Sequence, residues 1–433
     1  MLERVFQLTG RGTNARTEVE AGITTFLTMA YIIFVNPLIL SNVPGLEGQR
    51  AALVAATCLA AAIPTLAMGL FTNTPYALAP GMGLNSVLTY AVCLKQGVPW
   101  QTAMGVVAVE GILIAVLVLT RTREAIMNAI PLSLKRAISV GIGLFITLIG
   151  MVDAGLVKIG VAAAPLTYGP FHDPKVLVAT AGLGLTLAFF ALRWKSALLL
   201  GIVGTTALAL MVGVSKPPTA VMQAPVFTTM FHADVMAALK PALWATILAF
   251  VMSDFFDAMG TIIGVGQQAG LVDERGRLPR LREILFIDGL AATWGGLCGS
   301  SSTTTYIESA SGVAEGGRTG LTAVTVGLLF LLALFFAPLV SVVPAQATAP
   351  ALIIVGFLML GHVKEIPFDR VEEGVPAFIT MITIPFTYSI ARGIGFGFIS
   401  YLLMLVVQGQ WRRINPLLVI VSLLFALSFT LGG

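Results

Sequence analysis

Charge is what this 433-residue chain has least of. Asp, Glu, Lys and Arg make up 11% of it, whereas a soluble domain carries roughly 25%. That shortfall excludes an ordinary water-soluble globule. Cysteine is scarce too. Cys58, Cys93 and Cys298 sit within or beside apolar runs, at spacings that suit neither a disulfide framework nor a metal site. The three histidines, His172, His232 and His362, fall in loops or at span ends, which argues against a membrane-embedded Ser–His hydrolase. The opening stretch, "MLERVFQLTGRGTNARTEVEAG", is polar and has no small-residue cleavage site after an apolar core, so no cleaved signal peptide is expected. Nothing in the pattern calls for a cofactor, a metal or a catalytic residue.

What the chain has in abundance is long apolar runs, many reaching the ~20 residues that cross a bilayer. The fold class expected is an all-α polytopic membrane protein. Fifteen apolar segments run from 19–40 to 415–431, several of them short. With the N-terminus inside, loops on that side hold 18 Lys/Arg and loops on the other side hold 7, which places the N-terminus in the cytoplasm and the chain in the cell (inner) membrane. The inside set includes Arg121, Arg123, Arg275, Arg277 and Arg318. The polar break at 214–240 follows a seventh segment. Seven is odd, so the next seven begin on the opposite face, as in inverted-repeat secondary transporters. The organisation expected is therefore a cytoplasmic segment 1–18, a first seven-span repeat 19–213, an extracytoplasmic connection 214–240, an inverted repeat 241–408, and a C-terminal segment 409–433 with an extra span.

Two stretches are too polar or too broken to be plain spans. "NTPYALAPGMGLNS" (73–86) opens the third segment of the first half, and "GSSSTTTYIESAS" (299–311) opens the third of the second. Asn85 and Glu308 lie 223 residues apart, about the spacing of the halves. Irregular backbone at membrane depth survives only where protein or water satisfies it, so both stretches should be short extended pieces leading into half-helices whose free N–H groups frame a pocket. A carboxylate at Glu308 has a functional reading, because ionisable residues inside membranes mark sites. It also has a plain one, because "TYIE" fits a capping box with Thr305 as N-cap. In "SDFFDAMGT", Asp254 and Asp257 are three apart and neighbour each other on one helical face. Two close buried carboxylates rarely both ionise, which suits proton binding and release. Glu110 and Asp288 sit in spans without small-residue surroundings and read as structural hydrogen-bonding groups. Glu315 and Arg318 read as a surface ion pair. Tyr31, Phe255, Phe256 and Tyr306 are aromatics that would either stack on a flat ligand or simply pack.

The pieces "GITTFLTMAYIIFVNP", "ALAPGMGLNS", "SDFFDAMGT", "TTTYIESASGVAEGGRTGLTA" and "IPFTYSIARGIGFGFISY" together resemble the nucleobase:cation symporters of the nucleobase/ascorbate transporter superfamily. The closest likeness is to the AzgA-like hypoxanthine/guanine/adenine permeases. Uracil and xanthine branches have Asn after the motif glutamate; here Ser309 follows Glu308. The resemblance implies fourteen spans in two inverted repeats, forming core and gate domains. It implies import of guanine, hypoxanthine or adenine by proton symport with alternating access. Asn85, Asp254, Asp257 and Glu308 match the family's binding and transport positions; Thr305 and Tyr306 flank them as further substrate-binding candidates. Asp257, Asp254 and Glu308 are the proton-coupling candidates. The chemistry is compatible: a carboxylate accepts purine N–H groups, and an amide both donates and accepts.

The partners expected are a purine nucleobase, a proton in preference to sodium, and membrane lipid. Nucleic acid is not among them, and monomer and homodimer stay open. An anion exchanger on the same fold would want donors and a positive charge, but this centre offers three acids. An intramembrane aspartyl protease would place its two aspartates on different helices. A channel would not need paired half-helices.

Overall fold

A computed structural model describes residues 2–120, 131–161, 164–218, 220–271 and 278–431. The loop cations Arg121, Arg123, Arg275 and Arg277 lie outside the described residues. In the first half, α1 (Ala15–Met29) and α2 (Ile32–Leu40) make one broken span. It is followed by α3 (Arg50–Ala67), strand β1 (Leu78–Pro80) and short helix α4 (Met82–Ser86), which continues as wide helical turns over Val87–Lys95. Then come α5 (Trp100–Leu119), α6 (Leu132–Asp153), a hairpin of β2 (Val157–Val161) and β3 (Ala164–Tyr168), α7 (Pro174–Ala191) and α8 (Ala197–Met211). The hairpin falls between two apolar runs, where the sequence reading expects only loop.

The second half repeats the order. Helices α9 (Trp244–Gln268) and α10 (Leu281–Leu297) precede strand β4 (Thr303–Thr305) and short helix α11 (Ser309–Ala314). Four helices follow: α12 (Gly320–Ala333), α13 (Ala345–Met359), α14 (Val371–Thr387) and α15 (Ile390–Val407). A final helix, α16 (Pro416–Leu431), packs Phe425 and Phe429 on Phe398 and Phe396 of α15. Its 16 residues rise about 24 Å, short of the ~30 Å hydrocarbon core. Among the described residues, nine helices are long and apolar enough to cross a bilayer. The chain is a multi-pass helical membrane protein.

The third segments of the two halves meet. Strands β1 and β4 pair antiparallel, with Leu78 opposite Thr305, Ala79 opposite Thr304 and Pro80 opposite Thr303. Pro80 holds Ala79 in the extended region. The ladder is extended at both ends by Gly81 N donating to Ser302 O at 2.7 Å and Tyr306 N donating to Ala77 O at 2.9 Å. Two irregular segments at mid-span thereby satisfy each other's backbone, as an apolar surrounding demands.

Close helix packing sets what surrounds this strand pair. Helices α5 and α10 touch backbone to backbone: a Cβ on Gly111 would strike Thr293 N and Gly289 O, and one on Gly289 would press on Ala115 N. Small residues permit such approach between apolar helices, and here it sets Glu110 of α5 beside Asp288 of α10. At the N-terminus, α1 starts at Ala15, inside the stretch expected to be a cytoplasmic tail. Glu18 is fully buried and accepts from the backbone N–H groups of Arg318 (2.8 Å), Thr319 (3.2 Å) and Thr322 (3.3 Å) and from the Thr322 hydroxyl (2.6 Å). It thus satisfies the unpaired donors that begin α12.

Candidate functional site

Glu308 stands at the start of α11, immediately after the strand pair, and is half-buried. Its Oε1 accepts the Tyr31 hydroxyl from α1/α2 at 2.6 Å. No side-chain cap bond closes this helix start, so the capping-box reading is corrected. Thr305 instead donates its hydroxyl to Asp288 Oδ1 at 2.8 Å, and its backbone N–H donates to the same oxygen at 2.8 Å. The reason is tertiary: Thr305 belongs to the strand, three residues short of the helix, and α10 brings a stronger acceptor beside it. At six residues, α11 also supplies less of the helix-end field that a longer half-helix would bring.

Asp257 of α9 is exposed at the surface of the chain, and it acts electrostatically on Glu308, Tyr306 and Asp288. Glu308 and Asp257 therefore share one accessible side of the strand pair, and Ile307 beside them is 54% exposed. Asp254, three residues earlier and neighbouring it on the helix, is sealed. It is 1% exposed and faces Glu110, Asp288 and the Thr304 hydroxyl. The two aspartates are neighbours on one helix with different surroundings, one open and one sealed.

Tyr306, a substrate candidate, is buried. Its hydroxyl donates to Pro80 O at 2.5 Å, clasping the two third segments together. Tyr31 and Phe255 are also buried. None of these three rings offers an open face for stacking in this conformation, because each is packed in the core; the Phe256 side chain lies outside the described residues. Asn85 is fully buried and donates to Asn36 Oδ1 at 2.8 Å. Asn36 donates in turn to Thr57 Oγ1 (2.8 Å) and Ser300 Oγ (2.9 Å). The structure therefore joins Asn85 to a buried amide–hydroxyl network and does not bring its amide to the open side with Glu308. The Glu315–Arg318 ion pair is also corrected: Glu315 pairs with Lys195, and the Arg318 guanidinium donates to Val313 O (2.6 Å) and Gly317 O (2.8 Å).

Two of these partners were missed from sequence. Asn36 is a lone amide in the run "IIFVNPLIL", and a polar side chain in such a run signals a buried partner. Tyr31 as the donor to Glu308 left no local signal. A cavity of about 570 Å³ lies elsewhere, between Pro131, Glu373, Tyr401 and Arg412, and its Arg413 pairs with Glu372 and Glu373.

Chemically, the open side of the strand pair offers acceptors. Two carboxylates face it, and among the described residues neither is paired with Lys or Arg. Such a surface suits a neutral ligand with N–H donors, and it repels an anion.

The comparisons with known proteins agree with a transporter. The sequence profile of the permease family Xan_ur_permease matches residues 16–396. The chain is 43% identical to the adenine permease AdeP of Escherichia coli (strain K12), over 99% of this chain and 95% of that protein. It is 40% identical to the guanine/hypoxanthine permease PbuG of Bacillus subtilis (strain 168), over 99% of both chains. The transmembrane domain of the cyanobacterial bicarbonate transporter BicA shares the fold, with a TM-score of 0.62 at 15% identity, covering 87% of this chain and 97% of that domain. The chain is thus a membrane transporter and not an enzyme, and it belongs to the Xan_ur_permease permease family.

Proposed function

We propose that this permease imports purine nucleobases, with guanine, hypoxanthine and adenine as the substrate set, by proton symport with alternating access. The observation that carries the reading is Glu308, an unpaired mid-span carboxylate held by Tyr31 and sharing an accessible side with Asp257. A purine is flat, neutral near pH 7 and edged with N–H donors, which is the complement of this surface. Relatives named as adenine and guanine/hypoxanthine permeases support the same class. Glu308 and Asp257 are the direct ligand groups in this reading. Asp254, Thr305, Tyr306 and Asn85 hold them in place, and Asp257, Asp254 and Glu308 handle the coupling proton.

The arrangement in the membrane belongs to the same proposal. Fourteen spans in two inverted sevens form a core and a gate in the cell membrane, with the N-terminus cytoplasmic. A lone cysteine at Gly276, in a cysteine-free background, resists impermeant thiol reagents in intact cells if this is right. Labelling from outside overturns the orientation.

The substrate test is thermal stabilisation of the purified chain, since a ligand that binds only the folded state raises its melting point. Hypoxanthine, guanine or adenine stabilises it; sulfate and bicarbonate do not. Stabilisation by an inorganic anion alone refutes the purine reading and favours an anion carrier on this fold. Uptake of radiolabelled purine, with and without a protonophore, tests the proton.

A further inference from the structure

Behind the strand pair lie three acids that the ligand surface does not use. Glu110 on α5, Asp254 on α9 and Asp288 on α10 are each at most 1% exposed. Their partners are unequal. Asp288 Oδ1 accepts from Thr305 N and Thr305 Oγ1, with Thr304 Oγ1 at 3.5 Å, while its Oδ2 has none. Glu110 Oε1 accepts from Ser302 Oγ at 3.1 Å, and its Oε2 has no partner. Neither oxygen of Asp254 makes a hydrogen bond of ordinary geometry, although Glu110 and Thr304 stand beside it. A side chain so buried and so unpartnered points to something it holds.

No cation supplies the missing charge among the described residues: none of the three pairs with Lys, Arg or His. Nor do any three acids there stand close enough together to hold a metal ion. An isolated ionised carboxylate is far too costly in such a place, so it takes up a proton. One proton between two facing carboxyls turns an acceptor–acceptor clash into a donor–acceptor bond.

We propose that Glu110 and Asp254 form a proton-sharing carboxyl pair sealed behind the β1–β4 strands, and that Glu110 shares and holds the proton that remains when Asp254 gives up the coupling proton. This deepens the symport reading and rests on it. When the proton moves from a Glu110 oxygen to an Asp254 oxygen, Glu110 becomes the carboxylate and Asp254 the acid, with no change in total charge. The pair alternates between one proton and two: a second proton reaches Asp254 from water by way of Asp257, one turn further along α9 on the accessible side, and leaves by the same route, so the sealed pair is never without a proton. The titratable groups facing the pair are Asp288 from α10 and Asp257 from the same helix, and Asp257 is faced in turn by Tyr306, Glu308 and His362; β4 contributes the Thr304 hydroxyl, and Ser302 just before it contributes a second hydroxyl. Glu110 reaches this place because α5 and α10 touch at Gly111 and Gly289.

The test uses the purified full chain in lipid vesicles. Infrared spectroscopy of wild-type protein at neutral pH, without ligand, shows the carbonyl stretch of a buried protonated carboxylic acid. Glu110→Gln, which mimics the protonated side chain in size, abolishes or shifts that band, and Asp254→Asn does the same. Calorimetry of hypoxanthine binding in buffers of different ionisation enthalpy counts the protons exchanged. In Glu110→Gln the exchange falls to zero. Glu110→Asp restores part of the exchange. A wild-type protein without the protonated carboxyl band refutes the pair whatever the variants do. A wild type that exchanges a proton, with Glu110→Gln exchanging it equally, also refutes the pair but leaves the symport reading standing. A wild type that binds hypoxanthine with no proton exchanged overturns both.

Discussion

The two third segments, 78–86 and 303–314, occupy equivalent places in the two halves and meet in one strand pair, yet they differ in kind. The first is apolar up to Asn85, whose amide is sealed in a network with Asn36. The second is a run of hydroxyls ending at Glu308, which stays accessible. One strand has almost nothing to offer except its backbone; the other, with Ser302 just before it and Glu308 just after it, carries side chains that reach Asp288, Glu110 and the open side. In the proposed reading, the first of these segments serves as scaffold and the second carries the ligand contact.

The sharpest way to break that contrast is Glu308→Gln. The variant keeps the size but places an NH₂ where an acceptor oxygen stood, so a donor meets a donor on the ligand. Purine affinity by calorimetry should fall by about 2–4 kcal/mol, roughly 30- to 1000-fold. Near-normal binding would take the chemistry away from the second segment.

Thr305→Val separates support from contact. Losing the hydroxyl bond to the Asp288 carboxylate should lower unfolding stability by about 1.5–3 kcal/mol, seen as a lower melting point, while the folded protein still binds purine. A loss of affinity without a loss of stability would make Thr305 a ligand group after all.

Asn85→Ala probes the other segment. It leaves Asn36 Oδ1 buried without its donor and should cost about 1–3 kcal/mol of stability, with purine affinity changing less than in Glu308→Gln. Equal affinity losses in the two variants would erase the asymmetry between the halves. Tyr31→Phe should have the smallest effect, about 1 kcal/mol or roughly fivefold in affinity, because Glu308 is half-exposed and water can replace the hydroxyl. A loss as large as that of Glu308→Gln would show that Tyr31 itself touches the substrate.

Much of this was legible in the residues. Pro80 and Gly81 forbid a continuous helix, and six consecutive hydroxyls at 300–305 are out of place in a lipid-facing span, so paired extended pieces followed. Glu308 and Asp257 stood out as carboxylates in apolar surroundings. What stayed hidden are partners fixed by helix packing. "TYIE" reads as a cap, but Thr305 bonds Asp288 because α10 lies against the strand, and nothing within four residues signals that. Asp254 and Asp257 look equivalent at a spacing of three, yet the contact of α5 with α9 seals one and leaves the other open. Glu18 reads as a tail residue only until α12 is packed onto α1.

The strand pairing has a consequence for how the chain is made. Leu78 bonds the Thr65 hydroxyl within the first half, but Ala79 and Gly81 are opposed by Thr304 and Ser302, so about 225 further residues must be synthesised before that backbone is satisfied. At the usual 5–20 residues per second, the ribosome takes roughly 10–45 s to deliver them. During that interval the nascent first half carries exposed strand-edge amides at membrane depth, where lipid offers no acceptor. It must wait beside the insertion machinery or beside water. Co-expressed as separate fragments, the two halves should accumulate only together, each stabilising the other against degradation.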